Sequence, residues 1–119
     1  MVIQVNAFSG LVNLQYLYLD NHNIKSLPAN VFRGLENLTQ LSLDHNSIEE
    51  IDKDKLIGLD YLEALYLYTK KLKAIKSDAF SQLTKLTELN LDQNEISIIE
   101  DGGFNGLTIL KNLVLANNQ

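Results

Sequence analysis

Apolar positions along this chain recur in a register that never slips. The stretch Leu83 to Ile96, LTKLTELNLDQNEI, is the template, with Leu83, Leu86, Leu89, Leu91 and Ile96 apolar and Asn94 set two residues before the last. Leu14, Leu38, Leu62, Leu86 and Leu110 are each 24 residues apart, as are Leu17, Leu41, Leu65, Leu89 and Leu113. Leu19, Leu43, Leu67, Leu91 and Leu115 form a third column, and Phe8, Phe32, Leu56, Phe80 and Phe104 a fourth. Self-similarity at a fixed period of this size predicts a solenoid.

Within each turn of that solenoid, the segment L-x-x-L-x-L alternates inward leucines with outward residues, the period-2 pattern of a half-buried strand. Stacking at a constant period forces these strands into one parallel sheet with neighbours about 4.8 Å apart. The return limb is too irregular for a full helix. Segments such as Pro28 to Gly34 suit a single helical or 3₁₀ turn, and Gly10, Gly34, Gly58 and Gly106 punctuate the approach to the next leucine. Strands packed closer than return limbs predict a curved stack. Ile3 shares a column with Leu27, Ile51, Ile75 and Ile99, so the first residues are the tail of a turn.

The pattern L-x-x-L-x-L-x-x-N-x-I, with turns ending F-x-x-L, resembles the leucine-rich repeat. It is similar to the 24-residue class carried by extracellular receptors such as Toll-like receptors and variable lymphocyte receptors, and by small leucine-rich proteoglycans. That resemblance implies an α/β leucine-rich-repeat solenoid: a right-handed curved arc with a parallel sheet on the concave face and irregular or 3₁₀ convex limbs. The expected organisation is one domain over residues 1–119. It comprises a partial repeat 1–13, repeats 14–37, 38–61, 62–85 and 86–109, and a partial repeat 110–119, without cysteine caps. The resemblance also implies that the ninth repeat position holds an asparagine whose amide satisfies backbone groups at the strand-to-loop turn. Asn46, Asn94 and Asn118 fit; His22 and Lys70 do not. A histidine can partly substitute, so His22 is expected to point into the turn. Lysine cannot accept a hydrogen bond and its charge is costly to bury. Lys70 is therefore expected to face outward from a turn distorted over Thr69 to Leu72.

Composition narrows the possible partners. The net charge is −5, from 15 acidic against 10 basic residues, which disfavours nucleic acid and anionic membranes and mildly favours a basic partner. Apolar runs stay well short of the roughly 18 residues of a membrane span. The start, MVIQVNAF, has neither the basic head nor the long apolar core of a signal peptide. There is no cysteine. Three origins stay open: a receptor fragment without its caps, an engineered array, or a cysteine-free natural protein. By resemblance the location is extracellular or at the cell surface, with a cytoplasmic or engineered setting as the alternative.

Chemistry, if any, belongs to the outward residues of the sheet. The third-position column reads Tyr16, Gln40, Ala64, Glu88, Asn112, and the fifth Tyr18, Ser42, Tyr66, Asn90, Val114. The seventh reads Asp20, Asp44, Tyr68, Asp92, Ala116, and the eighth Asn21, His45, Thr69, Gln93, Asn117. Four of the five tyrosines thus share one face, and tyrosine gives large contact area at small entropic cost. Covering the sheet would equally suit aromatic residues. Asp20 and Asp44 are like charges across one ladder step, an arrangement that costs stability unless a basic group meets it. The candidate partner-binding residues are therefore Tyr16, Tyr18, Asp20, Asp44, His45, Tyr66, Tyr68 and Asp92. No cofactor and no metal are expected, since too few oxygens converge for Ca²⁺. Catalysis is not expected either, for want of a cysteine nucleophile, a phosphate-binding glycine loop or an H-E-x-x-H motif. The charge run Asp52–Lys55 reads as a solvated outer limb, and the sequon Asn37-Leu38-Thr39 is of a frequency that chance supplies. The leading expectation is a non-catalytic module binding a protein, one with a basic surface. The alternative is a self-assembling or structural unit, including a homodimer, joined through uncapped ends, edge strands or the concave face.

Overall fold

The computed structural model describes residues 1–118. Gln119, the last residue of the expected partial repeat 110–119, lies outside them. Five short strands form one parallel sheet: β1 (Tyr16–Tyr18), β2 (Gln40–Ser42), β3 (Ala64–Tyr66), β5 (Glu88–Asn90) and β7 (Asn112–Val114), in that order. Two more, β4 (Ala74–Ile75) and β6 (Ile98–Ile99), pair in a second parallel sheet on the descending limbs. Every ladder follows the sequence period, with Leu17 opposite Leu41, Leu41 opposite Leu65, Leu65 opposite Leu89 and Leu89 opposite Leu113. The solenoid arc expected from the leucine columns is what forms.

The convex limbs are irregular, as expected. The one helical piece among the described residues is a 3₁₀ turn at Lys53–Lys55, capped by Asp52, whose carboxylate accepts from the Asp54 N–H at 3.1 Å. Pro28 to Gly34 closes through single four-residue turns, Val31 N–H to Pro28 O and Arg33 N–H to Asn30 O. No α-helix occurs among the described residues. The second sheet was not legible in the leucine pattern, because its pairing rests on two residues per strand, Ala74 with Ile98 and Ile75 with Ile99.

Inside the arc the columns become layers. Leu38, Leu41, Leu43, Leu62, Leu65, Leu67, Leu86, Leu89 and Leu91 are all shut off from water. Phe8 stacks on Phe32 at 6.0 Å and Phe80 on Phe104 at 6.3 Å, both within the range of favourable aromatic pairs. Leu56, fully buried, occupies the same column between the two stacks. Turns approach closely at Gly106, where φ is +88° and a side chain would run into the Ser81 backbone.

The asparagine column supplies what the short strands cannot. Asn46 donates to Leu19 O at 2.8 Å and Leu43 O at 2.9 Å, while its oxygen accepts from the His22 and Ile24 N–H groups. Asn94 repeats this two turns on, donating to Leu67 O and Leu91 O and accepting from Leu72 N–H, and Asn118 donates to Leu91 O and Leu115 O. His22 departs from expectation. It is exposed, and only its backbone N–H takes part, because Asn46 of the following turn already serves that loop.

The third turn is distorted where expected, but by a mechanism the sequence reading missed. Elsewhere the left-handed residue after the strand is the eighth of the repeat, at Asn21, His45, Gln93 and Asn117; here it is the ninth, Lys70, with φ of 69°. The shift sends Lys70 outward and pulls Thr69 into the core at 1% exposure, so Thr69 is not part of the outward eighth column. Its hydroxyl sits 2.7 Å from the Asn94 oxygen and 3.0 Å from Ile48 O, filling the place an asparagine would take. A small neutral hydroxyl is cheap to bury; an ammonium is not.

Asn94→Ala therefore strips partners from several buried backbone groups and is expected to cost about 3 kcal/mol or more, against about 1 kcal/mol for Thr69→Val. Urea midpoints of the two variants and the parent measure both; equal midpoints for Asn94→Ala and parent would refute the ladder's role.

Candidate functional site

The outward residues of the sheet lie on its concave face, and the strand period decides which they are. Leu17, Leu41, Leu65 and Leu89 point inward, so Tyr16, Tyr18, Tyr66 and, just past β3, Tyr68 point out. Tyr16 and Tyr18, on the edge strand β1, are exposed, whereas Tyr66 and Tyr68, in the middle of the sheet, are half-buried. Ser42 lies between Tyr18 and Tyr66 in the ladder and is 4% exposed.

Tyr18, Tyr66 and Tyr68 are each held by a neighbour one turn on. Tyr18 donates its hydroxyl to Gln40 at 3.0 Å, Tyr66 to Glu88 at 3.4 Å, and Tyr68 to Gln93 at 2.6 Å. Tyr68 also has the His45 ring tilted against it at 4.7 Å and the Lys70 ammonium 5.8 Å from its centroid, within reach of a cation–π contact. Gln40, Glu88 and Gln93 thus fix the aromatic surface. Sequence reading passed over them as single residues, although each sits in an outward column one turn after the tyrosine it holds.

The aspartates are not left facing each other. Asp20 accepts from the Ser42 hydroxyl, Asp44 from the Tyr68 N–H at 2.7 Å, and Asp92 from the Asn117 amide at 3.0 Å. Each seventh-position carboxylate reaches to a donor on the next turn, which offsets the repulsion expected between like charges in adjacent strands. Burial raises the Asp44 carboxyl above its ordinary value of 3.8. The Tyr68 N–H and His45 act in the lowering direction, while Asp20 adds to the rise. Tyr66 is likewise raised from 10.0, first by burial and then by Glu88, with Tyr18 and Asp44 contributing.

Among the described residues the ion pairs are Lys55–Asp52, Lys73–Glu49 and Lys76–Glu50, all off this face. No group of three or more His, Cys, Asp or Glu side chains among them is placed to hold a metal ion, and no helix among them is long and apolar enough to cross a membrane.

A family model described as leucine rich repeat matches residues 2–48, 12–69 and 60–119. The chain belongs to the leucine-rich repeat family. Among solved structures it is similar to a TLR13–ssRNA13 complex, at 33% sequence identity and a TM-score of 0.93. The match covers 98% of this chain and 16% of the TLR13 chain, so the leucine-rich repeats described here span a small part of that receptor's length. No curated protein sequence matches. The family sets the frame of leucines and asparagines, and the tyrosines, glutamines and carboxylates of this chain are what that frame displays.

The Asp44 environment yields a prediction for these repeats. Because its folded-state pKa lies above 3.8, the folded chain holds that proton more tightly than the unfolded one. Its contribution to stability is greatest below 3.8 and is lost as pH rises through the raised folded value. Asp44→Asn keeps an acceptor for the Tyr68 N–H and removes the titration. The variant is expected to match or exceed the parent at neutral pH and to fall behind in relative terms near pH 3.8. Denaturation midpoints at the two pH values decide it, and a variant weaker than the parent at neutral pH would contradict the burial argument.

Proposed function

We propose that this leucine-rich repeat segment is a non-catalytic module that recognises a protein partner through its concave face. The observation that carries the reading is the make-up of the strand rows. Their third, fifth and seventh positions hold Tyr16, Tyr18, Tyr66 and Tyr68 together with Asp20, Asp44, Glu88 and Asp92, and neither lysine nor arginine. Large amphipathic rings give binding area at low entropic cost, and the central ones are already fixed by hydrogen bonds before any partner arrives. Tyr18, Tyr66 and Tyr68 are the anchors in this reading, with Tyr16 at the edge. Asp20, Asp44 and Asp92 select for positive charge, and His45, tilted against Tyr68, tunes that selection. TLR13 was solved with ssRNA13; on this chain the third, fifth and seventh strand positions carry four carboxylates and no lysine or arginine, and the single Lys70 ammonium beside Tyr68 does not offset them, which favours a protein over a nucleic acid.

A second reading rests on a separate observation. Strands β1 and β7 are each paired on one side only, and Leu113 on β7 is 40% exposed, so either edge can add a strand from another copy. Light scattering behind a sizing column, over a wide range of concentration, separates the two readings. A constant mass near 13.4 kDa supports a free concave face, and a mass that climbs with concentration supports edge pairing.

Binders selected from a display library on the immobilised chain test the leading reading. Tyr66→Ala is expected to weaken them by about 2 kcal/mol or more, whereas Tyr61→Ala, outside the strand rows, leaves them unchanged. A set of binders indifferent to every concave substitution would sink the proposal.

A further inference from the structure

Asn37-Leu38-Thr39 is a motif that the concave face does not use, and it is the only N-x-S/T sequence in the chain. Its frequency alone says nothing; its place in the fold says more. Asn37 is exposed, at the corner of a four-residue turn closed by the Leu38 N–H on Leu35 O, three residues ahead of β2. It therefore lies outside both the ladder and the leucine core. Its Nδ2 donates to Val12 O of the preceding turn at 2.7 Å, which engages one of its two amide hydrogens. The buried Asn46 and Asn94 each share two hydrogens among three carbonyls and have none to spare.

A second observation concerns the surface around Asn37. Val12, whose carbonyl it holds, is 44% exposed. Tyr61 takes the same repeat position one turn on, about 4.8 Å along the stack, and is 60% exposed. Asn37 thus stands between two exposed apolar side chains that are outside the strand rows and that the fold leaves uncovered.

We propose that Asn37 is an N-glycosylation site: in a secretory compartment its amide takes an oligosaccharide from a lipid-diphosphate donor, and the first sugar packs over Val12 and Tyr61. In the transfer, Asn37 Nδ2 attacks the anomeric carbon. A C–N bond forms as the anomeric C–O bond breaks, the lipid diphosphate leaves with that electron pair, and the amide nitrogen gives up one proton. The second hydrogen stays on the nitrogen and continues to serve Val12 O, so the product keeps the contact seen in the fold. A sugar ring sets C–H groups against an apolar surface while its hydroxyls remain in water. It therefore removes the Val12 and Tyr61 surfaces from solvent without exposing a new apolar one. Because Asn37 stands outside the third, fifth and seventh positions, the glycan leaves the strand rows open to a protein partner.

The test uses the full 119-residue chain behind a cleavable secretion signal. It is translated with microsomal membranes, and only chain protected from added protease is read. The protected chain is expected to gain the mass of one oligosaccharide, and Asn37→Gln to lose that gain. Thr39 gives its hydroxyl to Gln15 O, so two substitutions there separate the motif from the fold. Thr39→Ser, which keeps a hydroxyl, should retain the mass gain, whereas the isosteric Thr39→Val should lose it. An unshifted protected chain, or a shift that survives Asn37→Gln, overturns the site. Packing of the sugar is read by melting temperature. The glycosylated chain secreted from cultured cells is expected to melt above the same 119 residues made without glycan in bacteria. Replacing Val12 with serine and Tyr61 with alanine together should remove most of that difference. No difference in the parent, or an equal one in the double variant, overturns the packing of the sugar on these side chains.

Discussion

Everything in this molecule depends on how backbone groups are satisfied where each three-residue strand ends. Strands this short leave most of a turn's amides and carbonyls without a ladder partner, and buried groups of that kind are costly to leave unpaired. The side-chain amides of Asn46, Asn94 and Asn118 answer that need by bonding carbonyls of their own turn and the one before. Each asparagine thereby joins two layers. Leucine columns supply the burial that drives stacking, but the amides fix where one layer sits on the next.

That dependence explains the third turn. With lysine at the ninth position, the ladder would have to bury a charge or go without. The chain instead moves its left-handed residue one place along and lets Thr69 enter the gap. The consequence reaches the surface. Moving the bend to Lys70 brings its ammonium to the face of Tyr68, while His45 closes on the ring from the turn before. Tyr68 becomes the most constrained aromatic of the concave face because of a defect in the core beneath it.

The concave face is likewise built by turn-to-turn contacts. Side chains of one repeat are held by those of the next: Tyr18 by Gln40, Tyr66 by Glu88, Tyr68 by Gln93, Asp44 by the backbone at Tyr68. A surface preorganised in this way loses little entropy when a partner docks. It also has a sign, since its carboxylates meet hydrogen-bond donors rather than cations. The proposed function rests on this combination of fixed rings and carboxylates.

The sequence by itself determined the solenoid, the parallel pairing and the composition of the concave rows. A fixed period of 24 residues permits one register, and strand alternation then assigns every residue between the leucines to one side or the other. It also marked Lys70 as a misfit, since no neutral turn residue stands in its place. What only the tertiary structure decided lies between turns. The burial of Thr69, the exposure of His22, the second sheet through Ala74 and Ile98, and the donors that meet Asp20 and Asp44 each depend on atoms 20 or more residues apart in the chain. A periodic pattern states which residues are stacked, but not how each layer relaxes against the next. Those adjustments are set by the cost of leaving a buried polar group unpaired, and that cost is known only once both layers are in place.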